Sequence, residues 1–352
     1  MIENEGVRAE EARSCLLCGG EGAQLYGGLR DRLFNAPGNW SIMQCPKCQL
    51  VWLSPRPLPD DIGILYSHYH THQALYAPQR SLAGLRKSVK SSILNSKFGY
   101  QMDDTNRIIG SILSRIGPLR EIVGGGVLWL EAREKGRLLD VGCGNGSLLV
   151  QMRQLGWDVA GIEPDGKAVS VARERFGLEV FQGSLEEAKF PNEHFDAITM
   201  NHVIEHVQDP IGLLKECRRV IKPGGKIIVV TPNIQSLGFY LFGQHWRGLD
   251  IPRHLFLFSP HAFCACALQA GLTIQHLWTT ARTAHWIWAA SSLIMRGMQP
   301  GRSPEESCLS LKLQGVAFQT AEHLSLGLGK EQGEEIVAAM IIEHKSGECS
   351  NQ

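Results

Sequence analysis

Between Arg137 and Val230 the chain repeats one pattern five times: a short apolar run ends at a polar or glycine-bearing turn, and a stretch with helical spacing follows. The runs are Arg137 to Val141, Trp157 to Ile162, Leu178 to Gln182, Phe195 to Met200 and Lys226 to Val230. Apolar runs of this length read as strands buried on both faces, with the intervening helices as covering layers. The alternation predicts an α/β fold with a parallel, doubly wound sheet, and it places a ligand at the carboxyl ends of the strands. Ala270 to Trp278 and Gly333 to Glu343 read as a sixth and a seventh strand. The interval between them is too long for a hairpin loop, so residues 281–332 are expected to form an insertion. Within it, Thr283 to Met295 carries no formally charged residue and includes Trp286 and Trp288. That run is too short to span a bilayer, which needs about twenty residues, and it reads as core, lid or interfacial anchor.

The first run ends in Asp140-Val141-Gly142-Cys143-Gly144-Asn145-Gly146. Glycines at alternate positions permit positive φ and let the backbone approach a ligand at a helix N-terminus. A dinucleotide fingerprint would put a further glycine at Ser147 and asks for no acid before the first glycine. The turn resembles instead the first motif of the class I S-adenosylmethionine (SAM) dependent methyltransferases, in which it lies against the methionine part of the cofactor and the acid, here Asp140, bounds the site. The second run ends at Glu163-Pro164-Asp165, about twenty residues on, where a carboxylate accepting from ribose hydroxyls belongs. The third ends at Gly183-Ser184-Leu185, which in the family flanks the adenine, although many relatives carry an acid where Ser184 stands. The resemblance implies cofactor contacts at Asp140, Gly142, Cys143, Gly144, Gly146, Glu163, Pro164, Gly183, Ser184, Leu185, Asn201 and His202. It also implies a seven-stranded Rossmann-like sheet whose last strand runs antiparallel between the fifth and sixth.

Acceptor chemistry is expected between two carboxyl-end segments. The fourth run continues into Asn201-His202-Val203-Ile204-Glu205-His206, and the fifth is followed by an aromatic segment, Gln244 to Phe258, that contains Arg253-His254. An oxygen nucleophile must lose its proton, and imidazole titrates near neutrality, so His206, His254 and His202 are candidate bases with Glu205 to orient or replace them. Arg253 reads either as the anchor of an acceptor anion or as a tie between loop and domain. A Glu205-His206 metal site for a catechol is a weaker reading.

Ten cysteines change the picture at the N-terminus. Cys15-Leu-Leu-Cys18 and Cys45-Pro-Lys-Cys48 form two matched C-x-x-C knuckles, and four thiolates make a closed, structural zinc site. Residues 1–60 are therefore expected to be a small zinc-ribbon-like domain, 61–130 a helical linker or cap, and 131–345 the methyltransferase domain. The ribbon, its exit Leu50-Val-Trp-Leu-Ser-Pro-Arg-Pro57 and the stretch Tyr66 to His72 resemble bacterial methyltransferases associated with surface-polysaccharide and secondary-metabolite pathways. His68, His70 and His72 read as a solvated or substrate-side cluster. From Arg80 to Lys97 the chain is basic and amphipathic, which suits packing on the catalytic domain or contact with an anionic surface. Gly124-Gly125-Gly126 reads as a hinge.

Thirty-five basic and thirty-five acidic residues leave no net field for nucleic acid, and none is expected as a partner. The N-terminus lacks the apolar core of a secretory signal, so a cytoplasmic protein is expected. The reading is a SAM-dependent methyltransferase acting on a small-molecule acceptor, a hydroxyl of a sugar, aromatic or carrier-linked intermediate, with peripheral membrane contact through 80–98 or 283–298 left open. The alternatives are a NAD-dependent sugar-modifying enzyme and a non-catalytic zinc-ribbon binding protein.

Overall fold

A computed structural model describes residues 2–66, 83–103, 105–300 and 309–342. The N-terminal part supplies β1 (Ile2–Asn4), β2 (Val7–Glu10), β3 (Ala23–Leu29), β4 (Trp40–Gln44), β5 (Val51–Ser54) and β6 (Arg56–Pro57). The remainder supplies β7 (Arg137–Val141), β8 (Asp158–Glu163), β9 (Glu179–Gln182), β10 (Phe195–Asn201), β11 (Ile221–Pro232), β12 (Phe256–Leu257), β13 (Thr273–Thr280) and β14 (Glu335–Ile341). Seven of these form one sheet in the order β13-β14-β11-β10-β7-β8-β9. β7 to β11 pair in parallel, whereas β14 runs antiparallel to both β11 and β13. The fold expectation is met, including the antiparallel last strand between the fifth and sixth. This separates the sheet from the order 3-2-1-4-5-6 that a NAD-binding domain would use. Strand order reverses between β7 and β10, and that switch point opens a crevice at the carboxyl ends.

The N-terminal ribbon does not stand apart from the large domain. Its sheet, β12-β5-β4-β3, takes its last strand from the 244–258 segment, with Phe256 opposite Trp52 and Leu257 opposite Val51. Trp40, Leu50, Val51 and Leu53 are buried in one continuous core with Phe256, Phe258, Phe263 and the β10 and β11 residues Ile198 and Ile227. A core shared in this way makes the position of the 244–258 loop depend on the ribbon.

The amphipathic segment forms a helix, Ala83–Phe98, and buries Ile93, Leu94 and Phe98. His68, His70 and His72 lie outside the described residues. The three glycines are not a hinge: Gly124 and Gly125 close helix Gly117–Gly125, and a Cβ on Gly125 would lie 2.5 Å from an Arg282 guanidinium nitrogen. Close packing, rather than backbone freedom, requires glycine there. Among its described residues the insertion contributes two helices, Ala284–Met295 and Leu309–Gly327, that pack together where Gly315 passes under the His285 carbonyl. Ala284, Ile287, Ala289, Ala290 and Ile294 are buried, so the uncharged run is core. Among the described residues no helix is long and apolar enough to cross a membrane.

One residue of the insertion is costly. Glu322 is fully buried and, among the described residues, neither carboxylate oxygen has a hydrogen-bond partner. Burial, with the nearby charges of Glu334, Glu121 and Glu335, pushes its carboxyl up to about 10. An acid whose folded pKa is raised loses stability as pH climbs from its unfolded value toward the folded one. Glu322→Gln is therefore expected to raise the melting temperature at pH 8 and to leave it nearly unchanged at pH 4. Equal shifts at both values in calorimetric scans would show that the carboxyl is already paired.

Candidate active site

The turn after β7 is shaped by its glycines. Gly142, Gly144 and Gly146 all have positive φ, and Gly142 and Cys143 donate their amides to the Ile162 carbonyl at 2.8 and 2.9 Å. A Cβ on Gly142 would strike Val203, and one on Gly146 would strike Leu178, whereas a Cβ on Gly144 would meet no atom of the described residues within 4 Å. The turn is thus wedged on two sides and open at its tip. Two buried carboxyls stand beside the turn. Asp140 accepts from the Thr199 hydroxyl at 2.7 Å, and Glu163, at the end of β8, accepts from the Gly144 amide at 2.8 Å and the Asp165 amide at 3.0 Å. Burial pushes Asp140 up to about 7 against the Thr199 hydrogen bond, and the Glu163 charge adds to the rise. A buried pair of like charges is relieved by a cation, and a sulfonium or ammonium group has the required sign. Gly183 donates its amide to the Glu163 carbonyl at 3.1 Å. Ser184 caps helix Leu185–Ala188, its hydroxyl accepting from the Glu187 amide, and Leu185 is buried. Pro164 is exposed, as is Asn201 at the carboxyl end of β10.

His202 follows Asn201 in a left-handed conformation, φ 56°. Its Nδ1 lies 3.1 Å from a Glu205 oxygen and its Nε2 2.9 Å from a Glu335 oxygen. Although burial opposes it, the two carboxylates hold His202 up to about 10, while both acids are held down to about 2. At neutral pH this is an imidazolium and cannot accept a proton. The second Glu205 oxygen accepts from the Thr231 hydroxyl at 2.9 Å, and Glu335 also pairs with Arg282 at 3.1 Å.

His206 stands differently. Its Nδ1 is 3.1 Å from the Arg253 carbonyl and 2.9 Å from the Tyr66 hydroxyl. A carbonyl can only accept, so Nδ1 carries the proton and Nε2 the lone pair. Burial lowers its pKa, which keeps the ring neutral. His254 packs edge-on against it at 4.7 Å, donates Nδ1–H to the Gly248 carbonyl at 2.8 Å and is only 6% exposed. Burial and the neighbouring His206 lower His254 to about 3.

Arg253 is 1% exposed, and its guanidinium is taken up on every side. It donates to Asp250 at 2.7 Å, to Asp31 at 2.7 and 2.9 Å and to the Leu65 carbonyl at 3.3 Å, and it lies over the Phe34 ring at 4.6 Å. These bonds tie the 244–258 loop to the ribbon, whereas the sequence offered an acceptor anchor or a tie between loop and domain. One atom each of Glu205, His206 and His254 lie within 4.8 Å of one another, a spacing a metal could use. The surrounding charges argue against one: the carboxylates Asp31, Glu205, Asp250 and Glu335 are already balanced by Arg247, Arg253, Arg282 and the His202 imidazolium. A divalent cation would enter an already neutral cluster. Sequence reasoning missed Tyr66, Asp31, Asp250, Thr231, Arg282 and Glu335. Glu335 had a faint signal, an acid at the mouth of an otherwise apolar strand.

The cysteine knuckles meet as expected. Cys15 and Cys48 approach with sulfurs 3.3 Å apart and Cys18 and Cys45 with sulfurs 3.4 Å apart, and all four sulfurs lie within 4.8 Å of one another. Each knuckle closes with a backbone bond to its first cysteine, Gly19 to Cys15 and Gln49 to Cys45, and each closing residue has positive φ. Burial raises Cys45, but amides of Cys48 and Lys47 and the Cys18 thiol draw it down to about 6. Four thiols so arranged fit a structural tetrahedral zinc with no place left for water.

Residues 120–277 match a family model described as a methyltransferase domain. A stretch of 124 residues is 37% identical to the ubiquinone biosynthesis O-methyltransferase of Cereibacter sphaeroides, covering 33% of this chain and 50% of that relative. The protein of the same name from Acinetobacter baumannii is 29% identical over 184 residues, or 47% of this chain and 74% of the relative. The chain thus spans about half the length of the first of these relatives. Among solved structures, a complex between the Haloferax volcanii Trm112 methyltransferase activator and a methyltransferase matches with a TM-score of 0.45 at 15% identity, over 66% of this chain and 93% of the other. A SAM-dependent methyltransferase from Thermotoga maritima matches with 0.42 at 21% identity, over 66% and 92%.

Proposed function

We propose that this chain, whose residues 120–277 are a methyltransferase domain on a class I sheet, transfers a methyl group from SAM to a hydroxyl of a small-molecule acceptor. The observation that carries the reading is the open glycine turn at Gly144 with Asp140 and Glu163 beside it, a cradle with the charge for a cationic cofactor. SAM supplies an electrophilic methyl on a sulfonium, which the acceptor displaces in line. The protein's part is alignment, which can supply about 7 to 11 kcal/mol, and removal of the acceptor's proton.

Of the candidate bases, His206 suits the second task. Its ring is neutral, its Nδ1 is anchored, and it is less buried than His254. His254 and the Arg253 carbonyl then position it, and Tyr66 closes over its Nδ1. Glu205 serves as the anchor of His202 and Thr231 rather than as the base. The names of the relatives favour a hydroxylated aromatic over a sugar as acceptor. Cysteines kept as thiols for zinc fit a reducing, cytoplasmic compartment.

Mass spectrometry of the protein incubated with SAM and hydroxylated aromatic or sugar acceptors tests this directly. Appearance of a methylated acceptor is expected, and SAM left intact with every acceptor class would count against the reading. The cofactor site has its own test. Glu163→Ala removes a carboxylate expected to accept two charge-assisted hydrogen bonds from the ribose, and SAM binding should weaken by roughly 2 to 4 kcal/mol. Calorimetry giving the same affinity for both proteins would remove the ribose assignment.

A further inference from the structure

Helix Arg107–Leu113 lies on helix Ala83–Phe98 through Gly110, where a Cβ would strike the Ser92 carbonyl. At 100° per residue, Ile108 and Ile112 point almost directly away from that contact, and Ile116 follows at the N-cap of the next helix. The exposures agree: Ile108 is 74% exposed, Ile109 49%, Ile112 59% and Ile116 46%, and Ile122 on the next helix is 56% exposed. Isolated exposed isoleucines need no explanation, but five within fifteen consecutive residues (108 to 122) form an apolar surface that water solvates poorly.

The segment is basic. Arg107, Arg115 and Arg120 within it are exposed, as are Lys87 and Lys97 on the helix it packs against. Among the described residues, Lys97, Arg115 and Arg120 have no carboxylate partner, and Asp103 is the one fully exposed acid between residues 83 and 122. An isoleucine stripe interspersed with cations would repel a second copy of itself. It complements a surface that is anionic at its face and apolar beneath, and bilayers with acidic headgroups have both properties.

We propose that the outward face of residues 107–122 docks on an anionic lipid bilayer. This goes beyond the catalytic reading and does not depend on it. The face is also close to the acceptor side of the crevice. Glu121, beside Ile122, accepts from the Thr280 hydroxyl at 2.7 Å and the Ala281 amide at 3.2 Å. Gly125 packs on Arg282, which pairs with Glu335, which in turn holds His202. A docked molecule would therefore turn the crevice toward the lipid from which an apolar acceptor could enter.

Flotation of the full-length protein with vesicles tests the proposal. Vesicles containing phosphatidylglycerol should carry the protein upward at low salt, those of phosphatidylcholine alone should carry much less, and about 0.5 M salt should reduce the difference. Ile108→Asp/Ile112→Asp should lower partitioning roughly tenfold or more. Arg115→Glu/Arg120→Glu should abolish the preference for the acidic lipid. All four positions are exposed, so unchanged thermal melting of both variants serves as the folding control. The proposal is overturned if the parent protein stays unbound to both vesicle types or if the isoleucine variant floats as the parent does. It is equally overturned if light scattering finds a dimer that the isoleucine variant dissolves.

Discussion

The His206→Ala variant is expected to turn over its acceptor roughly 10²- to 10⁴-fold more slowly while binding SAM as before. The ring has what a general base needs. Its Nδ1 proton is committed to the Arg253 carbonyl, its Nε2 has no hydrogen-bond partner among the described residues, and burial keeps it neutral. Because that pKa lies below the ordinary imidazole value, the rate should be flat through neutrality and fall only as acid protonates the ring. The neighbouring histidines should behave otherwise. His202 is already charged between Glu205 and Glu335, so its replacement should disturb the loop and not the pH profile. His254→Ala opens a cavity behind His206 and should lower stability together with turnover, since the lost ring is buried. Single-turnover methyl transfer, followed by mass spectrometry across pH, distinguishes these outcomes. Undiminished transfer by His206→Ala would mean that alignment alone drives the reaction.

Removing two zinc ligands with Cys45→Ser/Cys48→Ser is expected to release the metal, unfold the ribbon and abolish acceptor turnover, while SAM affinity survives. Structural zinc contributes about 10–16 kcal/mol of apparent binding energy in small zinc modules, more than a sheet as small as β12-β5-β4-β3 can replace. The loss should travel along two routes visible in the structure. β12 would lose β5, its only partner strand among the described residues, and Arg253 would lose Asp31, leaving the guanidinium groups of Arg247 and the buried Arg253 to share the single carboxylate of Asp250. Breaking a buried ion pair typically costs about 3–5 kcal/mol, and here it falls on the loop that anchors His206. Cys143 of the glycine turn and Leu149 of the helix after it pack in a second core with Val159, Val169 and Leu178, so the turn should persist. Metal analysis with calorimetry checks both halves. Zinc retained by the double variant, or full turnover without it, would refute the expectation.

The apolar runs, the glycine turn and the cysteine knuckles were legible in the chain because each is a local matter. A strand buried on both faces must be apolar along its length, a backbone with positive φ calls for glycine, and a C-x-x-C turn brings two thiols to one point whatever surrounds it. From these followed the seven-stranded sheet, the place of Asp140 and Glu163, and the four thiols of the zinc site. The charge states and partners of the remaining polar residues were not local. Whether His202, His206 or His254 could accept a proton turned on which carboxylates and carbonyls were packed beside each ring, and these came from Glu335, Arg253 and Gly248. Arg253 could have met an acceptor until Asp31, 222 residues earlier, met it first. Likewise the uncharged run at 283–295 could have been core, lid or anchor, and the packing of Leu309–Gly327 against it made it core. Hydrophobic periodicity specifies which face of an element is buried, but the sign and availability of a charged group depend on desolvation and on neighbours brought together by folding.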